Sequence, residues 1–395
     1  MATYKEIFGK QVKFLSTDPV LQSEGQIWYN STTATFRSTL VSAAWASSSN
    51  MSNAKAYRFG GGTTNAAFAA GGSPFPIAST EEYNGSGWSA GGDLGTARYE
   101  GASAGTQTAG LVAGGITTTP QSGTEEYDGS SWTAGGGALN TARYSQGGFG
   151  VQTAAVYSSG FPGTLTDTEE YNGTSWSEGN NQSQHRGDVG TAGTLTAGMI
   201  FGGQGPGPTV YANTELYDGT NWTAGPAMNS ARGQLGGSGT QTAAIGFGGR
   251  YTPPGSVLRA YTEQYDGTSW SETADLATAR RQLSSTRVET GNTSALAFGG
   301  SAPSVTAITE EFNQSATAIT AGAWASGGAL TGGVKNAVGG AGTQTTGLAF
   351  GGYKPGSNQT DDSESYDGTT WTEGSNLNTA RSFIGGETYD GSTWT

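Results

Sequence analysis

Glutamate pairs inside a repeated phrase are the residues of this chain best suited by type to acid–base chemistry. The phrase reads TEEYDGSSW at residues 124–132, and it returns from Thr80, Thr168, Thr214 and Thr262, with a looser copy, SESYDGTTW, from Ser363. Two carboxyl groups that act on one bond must face a common site. Adjacent residues of a strand point to opposite faces. The repeated pairs are therefore predicted to be structural.

Other groups that could support catalysis or hold a metal are sparse. The chain has one histidine, His185, and no cysteine, so a copper or zinc site built on imidazoles or thiolates is not expected. The acidic stretch 361–368 lacks the ligand spacing of a calcium loop. The glycine-rich stretch 202–208 lacks the lysine of a phosphate-binding loop. We predict no catalytic residue, no metal and no cofactor, and interpret His185 as a polar loop residue.

Tryptophans mark a long period. They stand at Trp45, Trp88, Trp132, Trp176, Trp222, Trp270, Trp324 and Trp371, 43 to 54 residues apart. A basic residue follows each by about ten positions, at Lys55, Arg98, Arg143, Arg186, Arg232, Arg280, Lys335 and Arg381. We predict that one glutamate of each phrase pairs with this base. The tyrosines and tryptophans of the phrases are predicted to fill the space between repeats.

Each period contains four short β-like segments, which we name a to d. Segment a follows the base, b ends in Gly-Gly, c ends in Tyr-Asp or Tyr-Asn, and d carries the tryptophan. Asp-Gly between c and d predicts a hairpin with a type I′ turn, in which both central residues have positive φ. Four antiparallel strands in each period of 40–50 residues are typical of a propeller blade.

The order R…GG…TEEYD…W resembles the kelch repeat, with its double glycine, its tyrosine and its spaced tryptophan, over about residues 26–395. The resemblance implies an all-β, kelch-like β-propeller of four-stranded antiparallel blades. Seven complete units span 53–378, and the end segments 26–52 and 379–395 together match one period in length. We predict eight blades, one of them closed by both termini, because closure removes exposed strand edges. Seven blades are the alternative, since the last segment lacks a Gly-Gly ending.

Composition favours a folded protein and argues against several classes of partner. Glycine is abundant (68 residues) and charged residues make up 12%, but aromatic residues reach 10%, whereas disordered tracts are poor in them. The net charge of -13 argues against a nucleic-acid groove, which needs clustered lysine and arginine. No apolar run reaches the roughly 18 residues of a membrane span, and the first residues have no signal-peptide pattern. We expect synthesis in a cytoplasm and no membrane insertion.

The connections between segments b and c are the candidate binding surface. In a four-stranded blade they lie on the same face as the d–a connections, and here they vary in length and hold ten of the 12 prolines. Proline stiffens a loop and so reduces the entropy lost on binding. The candidate contact residues are Phe75, Phe161, Tyr211, Arg250, Tyr251, Arg259, Tyr353 and Lys354. The alternative is that these are surface loops in which proline serves only as a turn former.

The whole chain, including residues 24–50, also resembles kelch-like structural and tail-fibre-type proteins of bacteriophages, particularly marine ones. This resemblance implies a non-enzymatic virion protein of the tail, fibre or capsid, exposed on the particle, that binds other virion proteins or a host-surface glycan or receptor. Residues 1–25 would be a tether to the particle or a contact in a homo-oligomer, or else a strap along the ring. Two alternatives are a lectin-like or carbohydrate-active propeller and a cellular kelch adaptor.

Overall fold

A computed structural model describes residues 13–16, 27–32, 35–251, 256–320, 328–333, 335–342, 346–354, 356 and 359–382. All regular elements in these residues are β-strands. The chain divides into two compact units, Met1–Ile319 and Thr320–Thr395. Among the described residues there is no helix with the length and apolar character that crossing a membrane requires.

The strands of the first unit are, in chain order, β1 (Lys13–Leu15), β2 (Ile27–Asn30), β3 (Thr35–Ser48), β4 (Phe59–Thr63), β5 (Ala66–Ala70), β6 (Thr80–Tyr83), β7 (Trp88–Ala90), β8 (Ala102–Thr106), β9 (Ala109–Ala113), β10 (Thr124–Tyr127), β11 (Trp132–Ala134), β12 (Gly147–Val151), β13 (Ala154–Ser158), β14 (Thr168–Tyr171), β15 (Trp176–Gly179), β16 (Gly190–Thr194), β17 (Ala197–Phe201), β18 (Thr214–Tyr217), β19 (Trp222–Gly225), β20 (Gly236–Thr240), β21 (Ala243–Phe247), β22 (Arg250–Tyr251), β23 (Val257–Leu258), β24 (Thr262–Tyr265), β25 (Trp270–Glu272), β26 (Ser284–Ser285), β27 (Ser294–Phe298) and β28 (Thr309–Thr320).

These strands form six blades. Blades 1 to 4 are β4–β7, β8–β11, β12–β15 and β16–β19, and blade 5 is β20, β21, β24 and β25. Within each of these, neighbouring strands pair antiparallel, as in β8–β9–β10–β11. Blade 6 has the order β26–β27–β28–β3, and its sheet continues into β2 and β1. The prediction of an all-β propeller with four-stranded antiparallel blades is confirmed.

Six backbone hydrogen bonds close the circle of blades in the first unit. Each joins the N–H of one residue to the carbonyl of the equivalent residue in the preceding blade. The bonds run from Tyr57 to Gln282 (2.9 Å), Glu100 to Tyr57 (3.0 Å), Ser145 to Glu100 (2.6 Å), Asp188 to Ser145 (2.9 Å), Gln234 to Asp188 (2.8 Å) and Gln282 to Gln234 (2.9 Å). Because the series returns to its first residue, six blades complete the circle.

The described residues form eight sheets, the number that the sequence predicted for the blades, but six of them make up the circle. The seventh is the small pair β22–β23, and the eighth lies in the second unit. Residues 26–52 were predicted to complete a blade with 379–395. Instead, β3 is the neighbour of β28 and the fourth strand of blade 6. Residues 383–395 lie outside the described residues.

The local sequence explains this closure. The phrase of blade 6, TEEFNQSATAIT, has no Asp-Gly, so β28 continues for 12 residues instead of turning back into a d strand. The N-terminal strand β3 supplies that strand together with its tryptophan, Trp45. Trp324, which the sequence placed on a d strand, lies outside the described residues.

The core lies between blades, where tryptophan links each blade to the one before it. The indole of Trp132 packs on Tyr127 of its own blade (ring centroids 4.7 Å apart) and against Phe68 of blade 1 (5.5 Å). Each indole N–H also donates to the threonine that opens the neighbouring phrase. The six pairs are Trp45–Thr262, Trp88–Thr309, Trp132–Thr80, Trp176–Thr124, Trp222–Thr168 and Trp270–Thr214.

The c–d turn differs from the type I′ prediction. In blade 2, Tyr127 pairs with Trp132 across a loop of four residues, and of Asp128 and Gly129 only Gly129 has a positive φ, 92°. The Asp128 carboxylate accepts the N–H groups of Ser130 and Ser131, both at 2.8 Å. These bonds lower the pKa of Asp128 to about 2. The aspartate therefore serves as a side-chain cap of the turn.

Glycine at the inner strands permits close contact between blades. A Cβ on Gly237 would lie 2.6 Å from the backbone nitrogen of Thr191 and 2.7 Å from the ring of Phe201. We expect Gly237→Ala to lower the free energy of unfolding by about 1–3 kcal/mol because of overpacking. In the control Gly87→Ala the new Cβ meets nothing within 4 Å, so a change of at most about 0.5 kcal/mol is expected. Equal urea midpoints for the two variants would contradict this packing.

The second unit contains one antiparallel sheet, β29 (Gly339–Gly342), β30 (Gly347–Phe350), β31 (Ser363–Tyr366) and β32 (Trp371–Glu373). It repeats the blade pattern. Lys335 Nζ lies 3.1 Å from Glu364 Oε1, and Tyr366 packs on Trp371 with ring centroids 5.0 Å apart.

Candidate functional site

The first glutamate of each repeated phrase is held by a buried base of its own blade. In the first unit the pairs are Arg58–Glu81 (2.8 Å), Arg98–Glu125 (2.9 Å), Arg143–Glu169 (2.7 Å), Arg186–Glu215 (2.5 Å), Arg232–Glu263 (3.2 Å) and Arg280–Glu310. In blade 1 the base is Arg58, not the predicted Lys55. The same carboxylates accept backbone N–H groups, as Glu125 does from Gly95 at 2.6 Å. These glutamates are therefore engaged in structural pairs.

The second glutamate of the phrase meets the tyrosine of a neighbouring blade. The hydroxyl of Tyr127 donates to Glu82 at 2.7 Å, and that of Tyr171 donates to Glu126 at 2.5 Å. The bonds between Tyr217 and Glu170 and between Tyr83 and Glu311 repeat this contact. The repeated phrase thus joins blades through its threonine, second glutamate, tyrosine and tryptophan, and its first glutamate holds the base within the blade.

The b–c connections are anchored on the ring at a fixed point. In most blades, a residue just after the Gly-Gly doublet forms an antiparallel bridge with the d–a segment of the same blade. The first-unit bridges are Ala56–Ser73, Tyr99–Ile116, Tyr144–Phe161, Gly187–Gln204, Gly233–Arg250 and Arg281–Ser301. The b–c and d–a connections therefore share one face, which we call the b–c face.

The predicted contact residues are spread over this face. Phe75 is 74% exposed. Phe161 packs on Tyr144, with ring centroids 5.8 Å apart, and its edge contact with His185 is 5.1 Å. His185 is buried and lies 3.1 Å from the Gly160 carbonyl oxygen through Nε2, so it supports the Phe161 loop.

The loop of blade 5 forms its own cluster. The guanidinium of Arg259 lies over the rings of Tyr251 (5.6 Å) and Tyr261 (5.1 Å). Arg250 donates to Gln204 at 2.7 Å. Tyr211 is half-buried beside Gly205. Tyr353 and Lys354 belong to the second unit, where Lys354 Nζ lies 2.6 Å from Asp362 Oδ2.

A ring of polar side chains at the axis was not predicted from the sequence. Its members are the residues whose backbones close the circle, Tyr57, Glu100, Ser145, Asp188, Gln234 and Gln282, and we call them the polar collar. Each stands two residues after the repeated basic position, which in blade 1 is Lys55. Each has a positive φ, between 54° and 63°. Non-glycine residues in this conformation are strained, and such strain clusters at functional sites.

Hydrogen bonds connect the collar side chains. The Tyr57 hydroxyl accepts from the amides of Gln234 (2.5 Å) and Gln282 (2.9 Å). Ser145 donates to Glu100 Oε1 at 2.5 Å, and Gln234 Nε2 donates to Asp188 Oδ2 at 3.3 Å. Burial, and then the neighbouring charge of Asp188, raises the pKa of Glu100 well above its usual range. Burial also raises the pKa of Asp188.

The collar lines a cavity, and a second cavity joins Glu100 and Ser145 to Tyr144, Phe161 and Gln204. Arg287 also lines the first cavity. It occupies the position where the inner strands of blades 1 to 5 have a glycine of positive φ, such as Gly239. Its Nη1 donates to Thr191 Oγ1 of blade 4 at 2.5 Å, and burial lowers its pKa to about 10.

Comparisons with known proteins agree with this architecture. No protein-family model matches the chain, and no curated protein matches it in sequence. A solved structure titled "Structure of YjhT", a kelch-like propeller, superposes with a TM-score of 0.57 over 68% of this chain and 99% of that chain, at 12% identity. The fold is that of a kelch-type β-propeller.

In this propeller the collar could have been found from the sequence by one signal. The position two residues after the repeated base is polar in blades 2 to 5, where the residues are Glu100, Ser145, Asp188 and Gln234. An ordinary strand start would not require this. What the sequence could not show is that these positions meet at the axis.

Proposed function

We propose that this kelch-type propeller is a non-enzymatic bacteriophage virion protein of the tail, fibre or capsid that binds a host-surface component or a neighbouring virion subunit through its b–c face. The binding role is inferred from the way in which the loops of that face are held. Loops of different length and sequence are bridged to a ring closed by six backbone hydrogen bonds. Variable loops on a rigid scaffold are a common arrangement for recognition.

The non-enzymatic part of the proposal is supported by the repeated carboxylates. The glutamates of the phrase are occupied by buried arginines and by tyrosine hydroxyls, so they hold blades together instead of facing a substrate. The virion part is supported by the resemblance of the sequence to phage fibre-type proteins.

The particle assignment is tested by mass spectrometry of purified virions from the phage that encodes this chain. We expect peptides of the chain at a stoichiometry that is constant between preparations. Their absence from intact particles, with other structural proteins detected, would overturn the assignment.

The binding face is tested with a pair of matched substitutions. Phe75 on the b–c face is 74% exposed, and Val151 on the opposite a–b face is 40% exposed. We expect Phe75→Ser to weaken binding of the purified protein to host cells by about tenfold or more, since exposed aromatic residues often dominate an interface. Val151→Ser should bind like the wild type. Equal binding of both variants would argue against Phe75 as a contact.

A lectin-like or carbohydrate-active role is the second candidate, and the polar cavities at the axis favour it. One cavity contains the carboxyl groups of Glu100 and Asp188, and the other brings Glu100 together with Phe161 and Tyr144, the mixture of polar and aromatic groups found in ligand pockets. Glycan-array binding without turnover would support a lectin-like adhesin. Release of reducing sugar from a bound glycan would instead establish an enzyme.

A further inference from the structure

The polar collar gathers oxygen-bearing side chains from all six blades around one axis. Two of them are carboxyl groups, Glu100 in blade 2 and Asp188 in blade 4, and Ser145 of blade 3 lies between them in the circle. The others bear phenol, hydroxyl or amide oxygens. Oxygen-only ligand sets of this kind suit hard divalent cations, above all Ca²⁺, which accepts six to eight oxygens in flexible geometry.

The two carboxyl groups have no basic partner in direct contact. Within the described residues all the ion pairs involve other acids, and neither Glu100 nor Asp188 is in one. Arg250 and Arg281 act on Asp188 only as more distant charges. Taking an acid out of water without a cation beside it is costly, and the raised pKa of each group expresses that cost.

Gln234 provides the second, independent observation. Its side chain is more than nine-tenths buried, with 7% of its surface exposed. The amide lies within the collar, because Nε2 donates to Tyr57 and to Asp188. Its Oε1 accepts no hydrogen bond. A buried amide oxygen without a donor is destabilising, and a cation beside Asp188 would satisfy it.

Arg287 lines the same cavity, and its contacts lie away from the collar carboxyl groups. Its Nη1 donates to Thr191 Oγ1 on the inner strand of blade 4, and the residue on which its charge acts is Tyr157. It forms no ion pair with Glu100 or Asp188 among the pairs of the described residues.

We propose that the polar collar binds a divalent cation of the Ca²⁺ class, with the carboxylates of Glu100 and Asp188 and the Oε1 atom of Gln234 as its principal protein ligands. The described residues contain no group of three acidic, histidine or cysteine side chains arranged to hold a metal ion, so the site depends on neutral oxygens to complete the shell. Such a cation joins blades 2, 4 and 5 across the axis. It would stabilise the ring whether or not the b–c face binds a host component.

The test uses the full chain, treated with a chelator and exchanged into buffer free of divalent cations. Isothermal titration with CaCl₂ is expected to show saturable binding, and Ca²⁺ is expected to raise the thermal unfolding midpoint. Glu100→Gln and Asp188→Asn should each weaken binding by about tenfold or more, because the number of charged ligands sets Ca²⁺ affinity. The control Asp93→Asn removes an exposed acid outside the collar and should bind as the wild type does.

Absence of saturable Ca²⁺ binding by the wild type would overturn the proposal, and so would equal affinities in Glu100→Gln, Asp188→Asn and Asp93→Asn. If the collar variants fail to fold, terbium luminescence tests the wild type directly. Tb³⁺ occupies Ca²⁺ sites, and Tyr57 in the collar would sensitise its emission. We expect emission that CaCl₂ displaces; emission that Ca²⁺ leaves unchanged would contradict a site at the collar.

Discussion

Glu169→Gln is expected to lower the free energy of unfolding by about 3–5 kcal/mol, the usual cost of leaving one member of a buried ion pair without its partner. Glu169 and Arg143 are joined at 2.7 Å, and their side chains are each only 1% exposed. The glutamate also accepts the N–H of Asn140 at 2.7 Å. Its loss leaves the buried guanidinium of Arg143 without its buried counter-charge. It also removes the hydrogen bond to Asn140, which lies in the segment that precedes strand β12.

The control lies opposite in the same sheet. Glu178 pairs in register with Glu169 but is exposed, so Glu178→Gln should change the free energy of unfolding by no more than about 0.5 kcal/mol. Urea unfolding followed by circular dichroism measures both variants. A double variant, Arg143→Met with Glu169→Leu, should recover much of the loss, because removing both charges avoids the uncompensated one. Similar urea midpoints for Glu169→Gln and Glu178→Gln would refute the structural role of the pair.

Trp45→Ala is expected to destabilise the first unit by about 3–5 kcal/mol, the range for truncating a packed tryptophan. The indole packs against Phe247 (4.8 Å between ring centroids) and Phe312 (5.3 Å), and its N–H donates to Thr262 at 3.0 Å. Trp45 thus links blade 6 to blade 5. Its removal weakens the contact through which the N-terminal strand β3 completes the circle.

A substitution on the same strand separates this effect from a general sensitivity of β3. Ser47 is exposed, and Ser47→Ala should leave the unfolding midpoint unchanged within about 0.5 kcal/mol. Trp45→Phe keeps an aromatic ring and loses the N–H, so its unfolding midpoint should lie between those of Trp45→Ala and Ser47→Ala. If Trp45→Ala unfolds at the same urea concentration as Ser47→Ala, β3 does not close the circle as described.

Much of the blade was predictable from local sequence. The period of the tryptophans, the Gly-Gly doublets and the Tyr-Asp-Gly turns specify four antiparallel strands, because each is a short-range signal of strand or turn. The pairing of the repeated glutamates with the repeated bases followed from their common period. In blade 1, where Lys55 and Arg58 both follow the tryptophan region, spacing alone selected the wrong base.

The contact residues on the loops were only partly resolved by sequence. Proline and aromatic content selected the b–c connections, and the structure places them together on one face. The sequence could not predict that Phe161 packs on Tyr144 or that Arg259 lies over two tyrosines. These contacts depend on where separate loops meet, which no single repeat encodes.

The sequence by itself determined the repeating unit: four strands, the pairing of a glutamate with the repeated base, the packing of tyrosine and tryptophan between repeats, and the face that carries the variable loops. Only the tertiary structure decided how many blades close the first unit, which strand completes the last one, and that six polar residues meet at the axis. The physical reason is the range of the interactions. Strand and turn preferences act over a few residues, whereas closure depends on the small angle between neighbouring blades summed around the whole circle, and on β3 reaching β28 across more than 250 positions of the chain.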